Sequence, residues 1–255
     1  MNAFLRRLRD GETTLMLAIR SGRTADVVRV ARASGHHAVM VDLEHSTMPL
    51  DVAASLCQTA SDIGLTPFVR VPEREYGAIG RLLDGGAVGI IAPRVETGAE
   101  AATVTRACRF APRGQRSQLA GVPRFGMRPV PAAELNPALD DATIVQILIE
   151  TPAGVASADE IAAVDGVDML AFGANDFTAE LGVPGRYDDP RVSAAVAALG
   201  DACRRHGKLL MAGGIGDPAL LRELDAAGVC PLRLTGTDTD MLYAGAAARA
   251  ERFLA

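Results

Sequence analysis

Residues 144–182, IVQILIETPAGVASADEIAAVDGVDMLAFGANDFTAELG, hold the reading that decides the fold. A β-branched apolar run (144–150) passes into an Ala-rich stretch with charge at helical spacing (154–164). A second apolar run (169–172) follows and turns at once toward another helix at FTAELG. Runs of period two alternating with stretches of period 3.6 are the signature of βα units, whose strands lie parallel.

Outward from there the same alternation covers the chain. Strands are predicted at 14–20, 38–42, 67–70, 89–93, 144–150, 169–172, 208–213 and 231–235. Helices are predicted at 24–34, 50–63, 73–84, 97–110, 154–164, 189–206, 218–226 and 238–253. Asp51, Ser61, Gly64, Gly85, Gly86, Gly207 and Gly228 supply cap or turn chemistry where helices must start or stop. Eight strands, each followed by a helix, give a (β/α)8 TIM barrel, and 255 residues suit a single domain over 1–255. The exception is 111–141, rich in Pro and Gly, which reads as a working loop or an inter-subunit contact, or else as a surface loop with a short helix.

Composition excludes several classes. With 49% apolar residues the chain is not disordered, and a net charge of −5 argues against a general nucleic-acid surface. No stretch approaches the ~20 apolar residues of a membrane span, and the start carries no signal-peptide core. Cys57, Cys108, Cys203 and Cys230 have no zinc-site spacing and read as core residues in a reducing compartment, so a cytoplasmic protein is expected. Of the 26 basic residues only Lys208 is a lysine.

Chemistry in a parallel barrel gathers at the carboxyl ends of the strands. The polar residues there are Asp42, Glu44 and His45 after strand two, Arg70 after strand three, Glu150 after strand five, and Asn175 and Asp176 after strand six. Glu150 and Asp176, from adjacent strands, suit one hard divalent ion with open positions; alternatively Glu150 pairs with an arginine and Asp176 caps a helix. Arg70 suits an oxyanion or carboxylate, or a salt bridge to Asp42 or Glu44, and His45 suits a general base. His36, His37 and His206 read as structural. Gly173 and the following amides turn into a helix N-terminus able to receive a carboxylate or phosphate. In TGTDTD (235–240) the two aspartates speak against phosphate and read as helix caps.

Taken together, VDLEHS (41–46), PFVRVP (67–72), LLDGGAVGIIAPRVET (82–97), LIETPAGV (148–155), FGANDFTAELG (172–182) and LTGTDTDMLYAGA (234–246) resemble the metal-dependent pyruvate aldolases of the HpcH/HpaI family over nearly the whole chain. The resemblance implies a class II aldolase that cleaves 4-hydroxy-2-oxo acids reversibly to pyruvate and an aldehyde. It implies that Glu150 and Asp176 bind Mg²⁺, Mn²⁺ or Co²⁺, and that His45 with Asp42 handles proton transfer through a metal-bound water. Arg70 would bind the 2-oxo oxygen, and the backbone of Gly173, Ala174, Asn175 and Asp176 the pyruvate carboxylate. Asp84 would reach the active site of a neighbouring subunit in a homo-oligomer, a hexamer, with the C-terminal helix exchanged between subunits.

This chain departs from the family pattern at Leu148, where a glutamine is usual. Gln146 lies on the same strand face. Ser117 stands for a glycine in QRSQLAGVPRFG (115–126), and Gly173-Ala174-Asn175 for a more usual Gly-Pro-Ala. A lysine Schiff-base route is not expected, because Lys208 opens strand seven at the far end of the barrel. Two rivals remain: a malyl- or citramalyl-CoA-type lyase, whose nucleotide would use Arg94, Arg113, Arg116, Arg124 and Arg128, and a silent barrel that binds a small 2-oxo acid.

Overall fold

A computed structural model describes residues 2–254. Its strands are β1 (Thr14–Ile19), β2 (Ala38–Asp42), β3 (Thr66–Arg70), β4 (Gly89–Ala92), β5 (Ile144–Ile149), β6 (Met169–Gly173), β7 (Leu209–Gly213) and β8 (Leu232–Thr237). They form one sheet in the order β7-β6-β5-β4-β3-β2-β1-β8, each ladder parallel. Between β7 and β8 the seam is joined just ahead of β8, where the Cys230 N–H donates to the Leu210 carbonyl at 2.7 Å. The result is a nearly closed (β/α)8 barrel.

Period two sorts the side chains into two cores. Along β5, Ile144 and Leu148 point inward to meet Met16, Met40, Phe68, Ile91, Met169 and Met211. Val145, Ile147 and Ile149 point outward, and with Val39, Val41, Val69, Leu170 and Phe172 they meet the helices. Gln146 is a polar group inside the first core.

The helices are α1 (Ala3–Arg9), α2 (Ala25–Ala33), α3 (Leu50–Asp62), α4 (Ile79–Asp84), α5 (Gly98–Cys108), α6 (Ala132–Ala142), α7 (Pro152–Ala156), α8 (Ala158–Ala163), α9 (Ala174–Glu180), α10 (Pro190–His206), α11 (Pro218–Asp225) and α12 (Asp238–Leu254). α1 escaped the sequence reading. Asn2 caps it by accepting the Phe4 N–H at 2.9 Å, and Phe4, Leu5 and Leu8 plug the N-terminal mouth, with the Phe4 ring tilted against that of Phe68 at a centroid distance of 5.1 Å.

Other boundaries differ from the expectation for local reasons. The helix expected over 154–164 breaks at Ser157 into α7 and α8, and that expected over 73–84 opens with a 3-10 turn (Tyr76–Ala78) before α4. Helix α9 starts directly at Ala174, so Asp176 lies in its first turn instead of capping a later helix. Within 111–141 a full helix, α6, packs Leu135 and Leu139 on Phe110 and Val122. It is the helix allowed by the alternative reading of this segment, and Pro137 inside it removes a backbone donor, which blurs its extent in the sequence. This segment lies at the N-terminal end of the barrel: Arg116, Val122 and Arg124 share a cavity with Ala87, Val88 and Thr143, which precede β4 and β5.

One helix does not cover the barrel. No residue of α12 is buried among the described residues, and Leu242, Tyr243, Phe253 and Leu254 are exposed.

Candidate functional site at the carboxyl ends of the strands

Asp42 ends β2 and Arg70 ends β3, and the parallel register sets them side by side. Arg70 donates from Nε to Asp42 Oδ1 at 3.0 Å and from Nη2 to Oδ2 at 2.6 Å, a two-point fork. Arg20, directly after β1, adds its Nε to Oδ2 at 2.6 Å, and the backbone amides of Glu44 and His45 donate to Oδ1 at 3.2 and 3.3 Å. The Asp42 side chain is 0% exposed. Burial alone would raise its carboxyl, but the Arg70 and Arg20 hydrogen bonds prevail and hold it at about 2.

Among the described residues Asp42 meets His45 through the latter's backbone amide, and its own oxygens are committed to two guanidinium groups. The imidazole is 50% exposed, and its Nε2 lies 3.9 Å from Glu44 Oε2. Glu44 in turn sits 3.1 Å from Arg70 Nη1. Its carboxyl is raised by burial against the pull of Arg70.

Glu150 follows β5 on the inward face and is 3% exposed. Its Oε2 accepts the Arg94 N–H at 3.1 Å. Arg94 takes φ +50 to present that amide, a left-handed backbone that costs a non-glycine residue about 1 kcal/mol or more. Burial first, then the nearby negative charges of Asp176 and Glu44, push the Glu150 carboxyl up to about 8 despite Arg94 and Arg70. Room for the carboxylate comes from Gly173: a Cβ there would stand 2.5 Å from Glu150 Cγ and 2.7 Å from Oε1. Asp176 is exposed in the first turn of α9, beside Asn175, which accepts the Tyr187 hydroxyl.

A cavity of about 140 Å³ unites these groups. Arg20, His45, Arg70, Glu150, Asn175 and Asp176 form its rim, and Gln146, Leu148 and three methionines form its floor. The Gln146 amide nitrogen rests 3.4 Å from Met211 Sδ, and its Oε1 is buried without a hydrogen-bond partner. The donor set fits a divalent cation: two carboxylates converge, one is buried and charge-starved, and a missing Cβ keeps its place open. Among the described residues no third His, Cys, Asp or Glu joins them as a ligand group, which leaves further positions to water or substrate.

The other sequence candidates lie elsewhere. Asp84 ends α4 at the opposite end of the barrel, where Arg116 Nη2 donates to it at 2.7 Å and lies over the Phe110 ring. The larger cavity there, about 370 Å³, holds Arg116 and Arg124 but no converging carboxylates. Arg113 is at that end too, beside Asn2 and Asp168. So three of the five arginines reserved for a nucleotide do not ring the site. Lys208 Nζ donates to the Val167 carbonyl at 2.7 Å, ahead of β7 and away from the rim. Asp240 exchanges hydrogen bonds with Thr237 at the start of α12, as a cap should, whereas Asp238 instead holds the loop after β1. One rim residue escaped the site reading, Arg20, although the same rule of polar residues at strand ends reaches it; Glu44, offered there as a salt-bridge partner of Arg70, takes that place at 3.1 Å.

Comparison with known proteins gives the family and the fold. The profile of the HpcH/HpaI aldolase/citrate lyase family matches residues 16–223. A 4-hydroxy-4-methyl-2-oxoglutarate aldolase of Hapsidospora irregularis is 38% identical over 224 residues, 87% of this chain and 83% of that one. One of the same name from Chaetomium globosum is 34% identical over the same shares. The crystal structure of an HpcH/HpaI aldolase from Desulfitobacterium hafniense superposes with a TM-score of 0.90 at 26% identity, over 99% of this chain and 96% of that one.

Proposed function

This chain belongs to the HpcH/HpaI aldolase/citrate lyase family and is a class II aldolase, and from that premise we propose how its residues act: the cavity bounded by Glu150, Asp176, Arg70 and His45 breaks the C3–C4 bond of a 4-hydroxy-2-oxo acid, releasing pyruvate and an aldehyde or ketone. The observation that carries this reading is the buried, cation-demanding Glu150 beside Asp176, on one wall with an arginine whose orientation Asp42 fixes.

In this reading the substrate carboxylate lies along the backbone from Gly173 to Asp176, which lines the cavity. Arg70, clamped by Asp42, donates to the C2 oxygen and gains strength as negative charge collects there during C3–C4 cleavage. A divalent cation held by Glu150 and Asp176, whether Mg²⁺, Mn²⁺ or Co²⁺, supplies Lewis-acid stabilisation of that same oxygen when bound. His45 takes the proton of the C4 hydroxyl, C4 becomes a carbonyl, and C3 is then protonated to the methyl of pyruvate. Asp42 acts as a positioning residue for Arg70. The apolar floor of methionines and Leu148 keeps water from the carbanion.

Asp84 can serve chemistry only in a neighbouring subunit, since in its own chain it lies at the far end of the barrel. A hexamer in which α12 crosses to a neighbour accounts for that helix's exposed apolar residues. Four free, buried cysteines suit a reducing cytoplasm, and among the described residues no helix is long and apolar enough to cross a membrane. A thioester lyase is disfavoured by the three arginines found at the wrong end. The test is pyruvate release from 4-hydroxy-4-methyl-2-oxoglutarate, followed with lactate dehydrogenase, before and after chelation. Metal-dependent release is expected; no release from this or simpler 4-hydroxy-2-oxo acids would overturn the reading.

A further inference from the structure

Beside the catalytic cavity a second one of about 530 Å³ opens, and Arg20, His45 and Thr237 are walls of both. Its lining is hydroxyl-rich, with Ser21, Ser46, Thr47 and Thr239, and it holds one further arginine, Arg23, and one acid, Asp240. Asp240 is occupied as a cap, accepting the Thr237 N–H at 3.2 Å.

Arg20 stands at the junction on a fixed backbone. The Asp238 carboxylate accepts the amides of Arg20, Ser21 and Gly22 at 3.0, 3.1 and 2.6 Å, and Ser21 Oγ is 2.9 Å from Thr239 Oγ1. The Arg20 guanidinium spends only its Nε, on Asp42; its two terminal nitrogens have no hydrogen-bond partner among the described residues, and the side chain is 36% exposed. The charges at the rim explain what is left over. Asp42 is shared by two guanidinium groups, and Arg70 has Glu44 as a second acid, whereas Arg20 has none. An unmatched cation with a free two-pronged face, presented rigidly to a cavity, is a carboxylate receptor.

Resting on the aldolase reading above, we propose that Arg20 binds a second carboxylate on C4, so that the substrates are 4-hydroxy-2-oxo diacids and the carbonyl product is itself an oxo acid. His45 lies in the shared wall, so a C4 hydroxyl placed at its imidazole sends the C4 substituent into the second cavity, toward Arg20 and with Arg23 beyond.

Two substrates that differ only at this group test it: 4-hydroxy-2-oxoglutarate, with a carboxylate on C4, and 4-hydroxy-2-oxopentanoate, with a methyl. Wild-type kcat/KM should favour the diacid by about 10- to 100-fold, the worth of a charge-assisted pair. Arg20→Gln should erase most of that preference, chiefly through the KM of the diacid, and Arg20→Lys should restore part of it. A wild type without preference, or an Arg20→Gln variant in which both substrates fall alike, would overturn the inference and leave Arg20 as a prop for Asp42. The wild-type ratio decides even if the variants fail to fold. Should neither compound be cleaved while pyruvate still exchanges its methyl protons with solvent, the inference alone fails. Should that exchange be missing too, the aldolase reading beneath it fails.

Discussion

Adding one methyl group at Gly173 separates a metal-binding Glu150 from a merely buried one. The backbone there, φ −95 and ψ 91, accepts alanine without strain, so Gly173→Ala acts through space alone. The new Cβ would meet Glu150 Cγ at 2.5 Å, Oε1 at 2.7 Å and Cδ at 3.0 Å, all inside van der Waals contact. Glu150 is 3% exposed and cannot swing into solvent, so its carboxylate must shift, by about 0.5–1 Å, away from the position that faces Asp176. Misplacing a ligand on that scale costs about 10- to 100-fold in metal affinity, or roughly 1.4–2.7 kcal/mol. The overpacking itself should lower stability by about 1–3 kcal/mol. Titration calorimetry with Mn²⁺ measures the first and urea unfolding of chelated protein the second. Gly213→Ala is the control: one strand over, its nearest contact would be the Phe172 carbonyl at 3.7 Å, so Mn²⁺ affinity should stay within about threefold. Full Mn²⁺ affinity in Gly173→Ala would refute the placement of the ion against Glu150.

Glu150 also makes the cation-free protein sensitive to pH. Its folded value of about 8 exceeds the ordinary 4.5, so the native state keeps a proton that the unfolded chain releases, and stability falls as pH rises through that window. Urea unfolding of chelated protein at about pH 5.5 and about pH 8 should show the loss, and Glu150→Gln should abolish both the loss and Mn²⁺ binding. Arg70→Ala should retain Mn²⁺ but lower kcat by about 100- to 1000-fold, measured by pyruvate release; unchanged turnover would remove Arg70 from the reaction. Deleting residues 241–255 should break the assembly into smaller species by light scattering, and an unchanged mass would free α12 from any role in association.

Much of the barrel was legible because its strands are β-branched runs of period two, and period sets which face meets the core. The same regularity exposed Asp42, Arg70 and Glu150, since polar residues that end buried strands point to the mouth, and Asp176 follows β6 in the first turn of α9. What period cannot show is pairing between strands. That Asp42 answers to Arg70 and Arg20 together depends on the β2–β3 register and on the loop that Asp238 holds after β1. Helix α6 was anticipated only as a short helix in the alternative reading of 111–141, its extent blurred by Pro137, and α1 was hidden by its brevity. The exposure of α12 was not legible in its spacing, since DTDMLYAGAAARAERFL reads as an ordinary amphipathic helix; only the family resemblance, which implies exchange of the C-terminal helix between subunits, anticipated it.

The most direct measurement is proton NMR of pyruvate in D₂O, which needs no acceptor and watches C3 alone. With Mn²⁺ removed and Mg²⁺ supplied, to keep the lines sharp, the methyl signal should decay through deuterium exchange. It should persist with chelated protein and with Glu150→Gln. Exchange that survives chelation, or its absence from protein that demonstrably holds the cation, would contradict enolate formation at Glu150, Asp176 and Arg70.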